Sequence, residues 1–421
     1  MIPLNYETAE GGKRGGTPTS SRSLYGLDSI NFFLADVQTG VGPFLAIYLA
    51  ANAWNPEKVG LALTVGGIAG IITQTPAGAL VDRLRAKRLL IAIGAAGLCV
   101  GALMIAWWPS VPIVMAAQTL IGGVSSIFNP AVAAIALGLV GHKLFDLRQG
   151  RNQSWNAAGN VAAAVSMGLV GTYIGPKWIF YMVLGFAVPT MLSLLLIKPE
   201  EIDYELARGA QDGADAGRAS YRELLKDKVL LTFLACVVLF HFANAAMLPL
   251  VGEMLSAGKA KTAPLFMMGC VVVTQAVITA LAWPSGRFAE KLGRKPILLV
   301  GFAALPIRGL LFAFVHGTYP VLAIQILDGI GAGIFGVVAI LVIADLTQGT
   351  GRFNFTQGAI FTALGIGASL SQVIAGSIVH HFSYRVGFLF LTVIAVSAFV
   401  LLLVGVPETC NWAERNSRTK K

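Results

Sequence analysis

Twelve apolar stretches, each long enough to cross a lipid bilayer as a helix of about 20 residues, dominate this sequence. They lie at residues 29–50, 59–80, 89–108, 111–140, 157–174, 178–197, 229–252, 263–285, 297–315, 320–343, 357–379 and 386–406, and are called spans 1 to 12. Only 12% of the residues are charged and 56% are hydrophobic, against about 25% and roughly 45–50% in soluble domains. The pattern excludes a soluble globular fold and predicts an all-α protein of twelve transmembrane helices.

The basic residues predict how the chain is oriented in the membrane. With the N-terminus inside, the cytoplasmic segments hold 25 of the 31 Lys and Arg residues and the outer loops hold five. Short cytoplasmic loops are enriched in these residues, so we expect both termini to be cytoplasmic and the protein to lie in the inner membrane. The net charge of +10 then marks topology, and we expect the lipid bilayer rather than nucleic acid as a partner.

An internal repeat divides the chain into two halves. The segment PAGALVDRLRAKR after span 2 aligns with PSGRFAEKLGRKP after span 8, and Pro76 pairs with Pro284 at an offset of 208. QTLIGG from Gln118 in span 4 aligns with QILDGIGAG from Gln325 in span 10. We therefore expect a six-helix bundle at 27–197, a charged cytoplasmic linker at 198–228 and a second bundle at 229–406. The tails, 1–26 and 407–421, are also expected in the cytoplasm.

The loops after spans 2 and 8 resemble the signature of the major facilitator superfamily. Its matches in the two copies are Gly78, Asp82 and Arg83, and Gly286, Glu290, Lys291 and Arg294. The first copy departs from the signature with Arg85 and Ala86, where the family usually has Gly-Arg. The resemblance implies two six-helix bundles around a cavity lined by spans 1, 4, 7 and 10 that opens alternately to each side. We expect the loop charges to form a gate, whose ion pairs hold in one conformation and separate in the other; the alternative is that basic loops only fix topology.

Three charged residues fall within the spans as drawn: Asp36, Arg308 and Asp328. A charge inside the bilayer costs about 2.5–3.5 kcal/mol on insertion scales and marks a functional or paired group. Asp36, which shares a polar stripe with Thr39, is a candidate proton carrier or a structural hydrogen-bond acceptor. Asp328 is a further candidate for proton coupling. It either forms a buried ion pair with Arg308, which would make it a poor proton carrier, or faces the cavity, in which case Arg308 becomes a contact for an anion.

Other polar residues in the spans are candidates for proton or solute binding. His241 titrates nearest neutrality and shares a helix face with Asn244, so it is a proton candidate or an interhelical hydrogen-bonding group. Asparagines in membrane helices also serve to join helices. The cavity candidates are Thr39, Gln118, Ser125, Ser126, Asn129, Asn156, Asn244, Arg308, Gln325 and Gln357.

These residues predict a secondary transporter and not an enzyme. No ATP-binding or metal-ligand motif is present, so we expect no cofactor and no metal. Proton-coupled export of a metabolite or drug-like compound is the first expectation, although Gln118 replaces an arginine that many related drug antiporters carry. Uptake of an organic anion, export of a metal ion or chelate, and a non-transporting receptor are the alternatives. We expect a monomer whose partners are lipid, a small solute and protons.

Overall fold

The computed structural model describes residues 19–39, 42–204, 207, 227–259, 261–315, 317–347 and 353–410. Over these residues the regular structure is α-helical apart from one 3₁₀ turn at Pro199–Glu201. The first seven helices are α1 (Ser21–Thr39), α2 (Pro43–Ala51), α3 (Pro56–Arg83), α4 (Lys87–Trp107), α5 (Val111–Ser125), α6 (Phe128–Tyr173) and α7 (Trp178–Leu196). The other seven are α8 (Lys228–Ala245), α9 (Met247–Lys259), α10 (Ala263–Leu292), α11 (Arg294–Phe314), α12 (Thr318–Thr347), α13 (Phe353–His381) and α14 (Tyr384–Gly405).

The predicted all-α membrane architecture is confirmed. Within the described residues, nine helical stretches are long and apolar enough to cross a membrane, and they coincide with spans 3, 4 and 6 to 12. The described residues of spans 1, 2 and 5 are helical as well, in α1 and α2, α3, and the later part of α6.

Several spans depart from a single straight helix. Span 1 is divided between α1 and α2, where Gly42 has non-helical backbone angles just before Pro43. Span 7 is divided at Ala246, between α8 and α9. In α6 the backbone kinks at Gly141, whose φ of 71° lies in the left-handed region that glycine adopts without a Cβ clash.

The helices cluster into two compact units. The first comprises residues 1–41, 69–167 and 177–214, and the second comprises 42–68, 168–176 and 215–421. In the first unit, α1 packs against α7 and α4, and α4 packs against α5 and α7. In the second unit, α12 packs against both α10 and α11, α8 contacts α13 and α14, and α2 lies against α9.

Two further buried carboxylates lie in helices that extend beyond the spans as drawn. Glu253 falls inside the membrane-crossing stretch Lys228–Ser256 and is 3% exposed. Asp28, also 3% exposed, belongs to α1, which begins eight residues before the predicted start of span 1. Glu253 was missed because predicted span 7 ends one residue before it, and Asp28 was missed because predicted span 1 begins one residue after it.

Candidate functional site

A cavity of about 260 Å³ lies in the second unit, beside the two helix breaks. It is lined by Gly42, Leu63, Asn244, Ala245, Leu248, Pro249, Arg308, Asp328 and Gln372. Gly42 directly precedes α2, and Asn244 and Ala245 end α8. Transporters commonly bind their solutes where membrane helices are interrupted, because unwound backbone there exposes polar groups to the site.

Arg308 is the centre of the polar side of this cavity. It is 1% exposed, and its Nη1 donates to Asp328 Oδ1 at 2.7 Å and to Asn244 Oδ1. Its Nη2 donates to Gln325 Oε1 at 3.1 Å. The second oxygen of Asp328 accepts a hydrogen bond of 3.2 Å from Thr274 Oγ1. Four helices, α8, α10, α11 and α12, thus converge on one ion pair.

The structure combines features of the two predicted arrangements of Arg308 and Asp328. They form a buried ion pair, and both also line the cavity. A guanidinium and a carboxylate in contact cancel most of each other's charge. The cavity therefore offers donors and acceptors without a net charge from this pair, and the arginine Nε has no hydrogen-bond partner in the described residues.

The interruption between α8 and α9 is held by α13. Gln372 Nε2 donates to the carbonyl of Ala245 at 2.9 Å, and the Ala246 N–H donates to Ser371 Oγ at 3.3 Å. Backbone groups released from a helix within a membrane need such partners, because no water is available in the hydrocarbon. Gln372 was not predicted: it lies in span 11 without a charge or a repeat to mark it.

His241 does not reach this cavity. Its ring packs edge-on against Phe335, with 4.8 Å between ring centroids, and against Phe240 at 5.3 Å. Its Nε2 is buried without a hydrogen-bond partner in the described residues. The structure therefore places this proton candidate in an aromatic cluster and not beside Arg308.

The cavity candidates of the first half lie in the first unit. Ser125 and Ser126 donate to carbonyls of their own helical segment, those of Ile121 and Gly123. Gln118 is buried, and its Nε2 has no hydrogen-bond partner among the described residues; Asn129 is exposed. Asn156 accepts a 3.1 Å hydrogen bond from Asn160. The side chains of Asp36 and Thr39 lie outside the described residues; Gln357, on α13, is partly buried and does not line the cavity.

The predicted gate loops show equivalent contacts in the two halves. Lys87 Nζ donates to the carbonyl of Val81 at 2.6 Å, and Arg294 Nη1 donates to that of Ala289 at 3.0 Å. Val81 and Ala289 are 208 residues apart, the offset of the sequence repeat. In each half a basic side chain satisfies a carbonyl near the C-terminus of the preceding helix, where cations are stabilising.

The second loop carries further contacts. Arg294 Nε pairs with Asp345 on α12 at 3.1 Å, and the backbone N–H groups of Arg294 and Lys295 donate to Glu408. Gly293, between α10 and α11, has φ of 101°, so a side chain there would be strained. Asp345 was not predicted, since it lies just beyond the end of span 10.

The remaining gate residues show fewer contacts. Gly78 and Gly286 have room around their Cα atoms, and Arg83, Glu290 and Lys291 are exposed. The side chain of Asp82 lies outside the described residues.

Comparison with known proteins gives consistent matches over almost the whole chain. The Major Facilitator Superfamily model matches residues 27–282 and 266–421. An uncharacterised MFS-type transporter of Mycobacterium tuberculosis H37Rv is 43% identical over 387 residues, covering 91% of this chain and 93% of that protein. Sugar efflux transporter A of Dickeya chrysanthemi is 25% identical over 94% of this chain and 98% of its own length.

The fold is also similar to that of a solved transporter. The crystal structure of a mutant of the nucleoside transporter NupG matches with a TM-score of 0.78 at 15% identity, covering 91% of this chain and all of that chain.

Proposed function

Because the chain belongs to the major facilitator superfamily of membrane transporters, we propose that it moves a small polar solute by alternating access. The cavity beside Arg308 and Asp328 is the observation that carries this proposal. It combines an ion pair, two side-chain amides and apolar walls formed by Leu63, Leu248 and Pro249. A few polar groups on an apolar lining are typical of small-molecule sites.

We propose an uncharged polar metabolite, rich in hydroxyl groups, as the solute. Asp328 already neutralises Arg308, which weighs against the uptake of an organic anion. Asn244 and Gln372 present groups suited to hydroxyls. The cavity, at about 260 Å³, is below the usual range of about 300–1,000 Å³ for ligand pockets, and so favours a metabolite over a drug-sized compound. The sugar efflux and nucleoside transporters among the similar proteins support a hydroxyl-rich solute.

We further propose proton-coupled export by a monomer in the inner membrane, with both termini cytoplasmic. The distribution of basic residues supports the orientation, and the named activity of the sugar efflux relative supports export. The charged loops after spans 2 and 8 act as gates, and 27–197 and 229–406 act as the two bundles.

Counterflow in proteoliposomes tests this function. Purified protein, reconstituted with an unlabelled sugar or nucleoside inside, should accumulate the labelled compound from outside. Replacement of Gln372 by Ala should lower the apparent affinity about tenfold or more, because it removes one amide from the cavity and frees the Ala245 carbonyl. Ser397→Ala, an exposed change on α14, serves as the matched control.

The ion pair needs a double variant, because loss of one partner would leave the other charge buried and destabilise the fold. Arg308→Gln combined with Asp328→Asn keeps the site neutral and hydrogen-bonded. We expect this variant to fold and to lose solute binding in a thermal-shift assay, where a bound ligand raises apparent stability. Unchanged solute affinity in the folded double variant would place the site elsewhere, and absence of flux with every solute class would favour a receptor.

A further inference from the structure

Glu253 is a buried carboxylate that the cavity does not use. It lies on α9, in the membrane-crossing stretch Lys228–Ser256, and is 97% buried. It is absent from the lining of the cavity at Arg308. Its neighbour Gly252 lies in contact range of Met267 and Ile47, so this part of α9 is packed against α10 and α2.

No hydrogen bond or ion pair compensates this carboxylate among the described residues. Its Oε2 has no hydrogen-bond partner, whereas Asp28, Asp328 and Asp345 are each paired with arginine. Metal binding lacks support, because the described residues contain no group of three or more His, Cys, Asp or Glu side chains that could hold an ion. Among the described residues, Glu253 therefore differs from these three aspartates because it has no arginine partner.

Within the described residues, no basic side chain of the helices packed against α9 forms an ion pair with Glu253. These helices are α2, α8, α10 and α14. Their titratable or charged side chains are Tyr48 on α2, Lys228, Cys236 and His241 on α8, Cys270, Arg287, Glu290 and Lys291 on α10, and Tyr384 and Arg385 on α14. Tyr384 interacts electrostatically with Glu253, but it is neutral when protonated and carries no positive charge. Lys259, on α9 itself, has its side chain outside the described residues.

We propose that Glu253 is a proton-binding site that must be occupied for α9 to pack against α2 at the predicted outer side. An isolated ionised carboxylate in a low-dielectric interior is so costly that such a group takes up a proton instead. Separation of α9 from α2 would admit water to Glu253 and allow it to ionise. Protonation therefore stabilises the closed arrangement of the two helices seen here.

This inference deepens the proposed transport function by naming a residue that makes closure of the outer side depend on pH. A second contact at that side also includes a titratable group: His380 Nε2 lies 3.8 Å from Glu57 Oε2. The histidine contact is exposed, with side chains 38% and 44% exposed, and ion pairs in water are weak. The effects of Glu253 and His380 on pH dependence can therefore be separated by substituting each residue in turn.

Infrared difference spectroscopy detects the protonation of a carboxyl group directly and requires no solute. The purified full-length protein should show the carbonyl band of a protonated carboxylic acid at neutral pH, and Glu253→Gln should lose that band. Glu57→Gln, which changes a carboxylate on the same predicted side with 44% side-chain exposure, should keep it. A wild-type spectrum without the band, or a band unchanged in Glu253→Gln, overturns the proposal.

Distance measurement between spin labels tests whether α9 separates from α2 as pH rises. Labels would be placed by Asn52→Cys directly after α2 and by Lys261→Cys after α9, both exposed, in a protein whose four native cysteines are replaced. In this background the short distance should give way to a longer one as pH rises. Adding Glu253→Gln should keep it short at every pH, whereas adding His380→Gln should retain the transition.

A Glu253→Gln protein that follows the same pH transition overturns the role of Glu253 in closure, as does a labelled parent protein without any transition. Glu253→Met, also neutral, serves as the second variant if Gln perturbs folding. Neither measurement depends on transport. Failure of solute counterflow would therefore contradict the proposed function alone, and leave the protonation of Glu253 to be decided by these spectra.

Discussion

Two arginines share one carboxylate in the first unit. Arg148 Nη2 lies 2.5 Å from Asp28 Oδ1, and Arg151 Nη2 lies 2.6 Å from Asp28 Oδ2. Arg148 is fully buried, and Asn152 accepts from its Nε. The aspartate thus holds α1 against the second segment of α6, and its loss would leave a buried guanidinium without a counter-charge.

Asp28→Asn should therefore destabilise the protein by about 3–5 kcal/mol, the usual cost of breaking a buried pair from one side. Thermal unfolding in detergent measures the effect. Glu57→Gln, which breaks an exposed contact, should change stability by less than about 1 kcal/mol. The combination Asp28→Leu, Arg148→Met and Arg151→Met should recover much of the loss; equal stability of Asp28→Asn and wild type would contradict this account.

Glu201 offers a prediction about acid stability outside the spans. Burial alone would raise the pKa of Glu201, but hydrogen bonds from Ser20 and Ser23 and from Lys198 outweigh it and lower that pKa. The Ser20 N–H and Oγ both donate to its Oε2 at 2.9 Å, just before α1 begins. Glu201 therefore stabilises the start of this helix as an anion.

A carboxylate whose folded pKa is lowered stabilises the fold fully above its ordinary pKa, and loses that contribution as pH falls through the folded value. Wild type should thus be more stable than Glu201→Gln at pH 7, and the difference should vanish on acidification below the ordinary value of 4.5. Thermal unfolding across this pH range checks the sign. A difference independent of pH would show that the charge is not involved.

The sequence predicted some of these residues and missed others for a physical reason. Arg308 and Asp328 were found because each interrupts an otherwise apolar span. Asp28 and Glu253 were missed because each lies one residue outside the edge of a predicted span, whereas the helices continue past it. Whether Arg308 pairs with Asp328 depends on the geometry of separate helices, which one sequence does not contain.

At the level of elements, α3 and α13 approach each other closely. A Cβ on Gly60 would collide with the backbone carbonyl of Gln372, and one on Gly67 would collide with Ser369. Between these glycines, Thr64 Oγ1 donates to the Ser369 carbonyl at 2.7 Å. Small residues that let helix backbones approach are a common means of association in membranes.

Gly60→Ala should therefore destabilise this contact by about 1–3 kcal/mol, the usual cost of overpacking, although alanine is the better helix former. Its melting temperature should fall, and spin labels introduced by Lys58→Cys on α3 and Phe382→Cys after α13, both exposed, should be farther apart. Gly185→Ala on α7 meets nothing within 4 Å and should leave both measurements unchanged or raise stability. A stable Gly60→Ala protein would refute the close contact.

The order of the helices was predictable from sequence, but their interruptions were not. Length and hydropathy predict twelve spans, because a bilayer demands about 20 apolar residues, and nine of them coincide with membrane-crossing stretches of the described residues. The breaks at Gly42 and Ala246 occur within apolar sequence, where hydropathy carries no information about backbone angles. Pro43 and Pro249, near these breaks, were the available signals; neither indicates by itself that a helix is divided.

For the whole molecule, the repeat predicts corresponding contacts but does not make the halves identical. Lys87 and Arg294 satisfy equivalent carbonyls, while the turn before α11 uses Gly293 at positive φ. At the position equivalent to Gly293 the first half has Arg85, which is not among the described residues with positive φ, so no glycine is needed there. The departure from the family signature at Arg85 and Ala86 therefore corresponds to a different turn.

The second loop provides the last prediction, on alternation between conformations. Arg294 links α11 to Asp345 near the end of α12, and the partly exposed pair lies away from the cavity residues. If it is part of a gate, its loss changes the balance between conformations without altering the solute contacts. Asp345→Asn should then slow counterflow severalfold while solute affinity, corrected for protein stability, changes less than twofold. Equal exchange rates in Asp345→Asn and wild type would indicate that this loop only fixes membrane topology. A large loss of solute affinity would instead indicate that Asp345 takes part in solute binding.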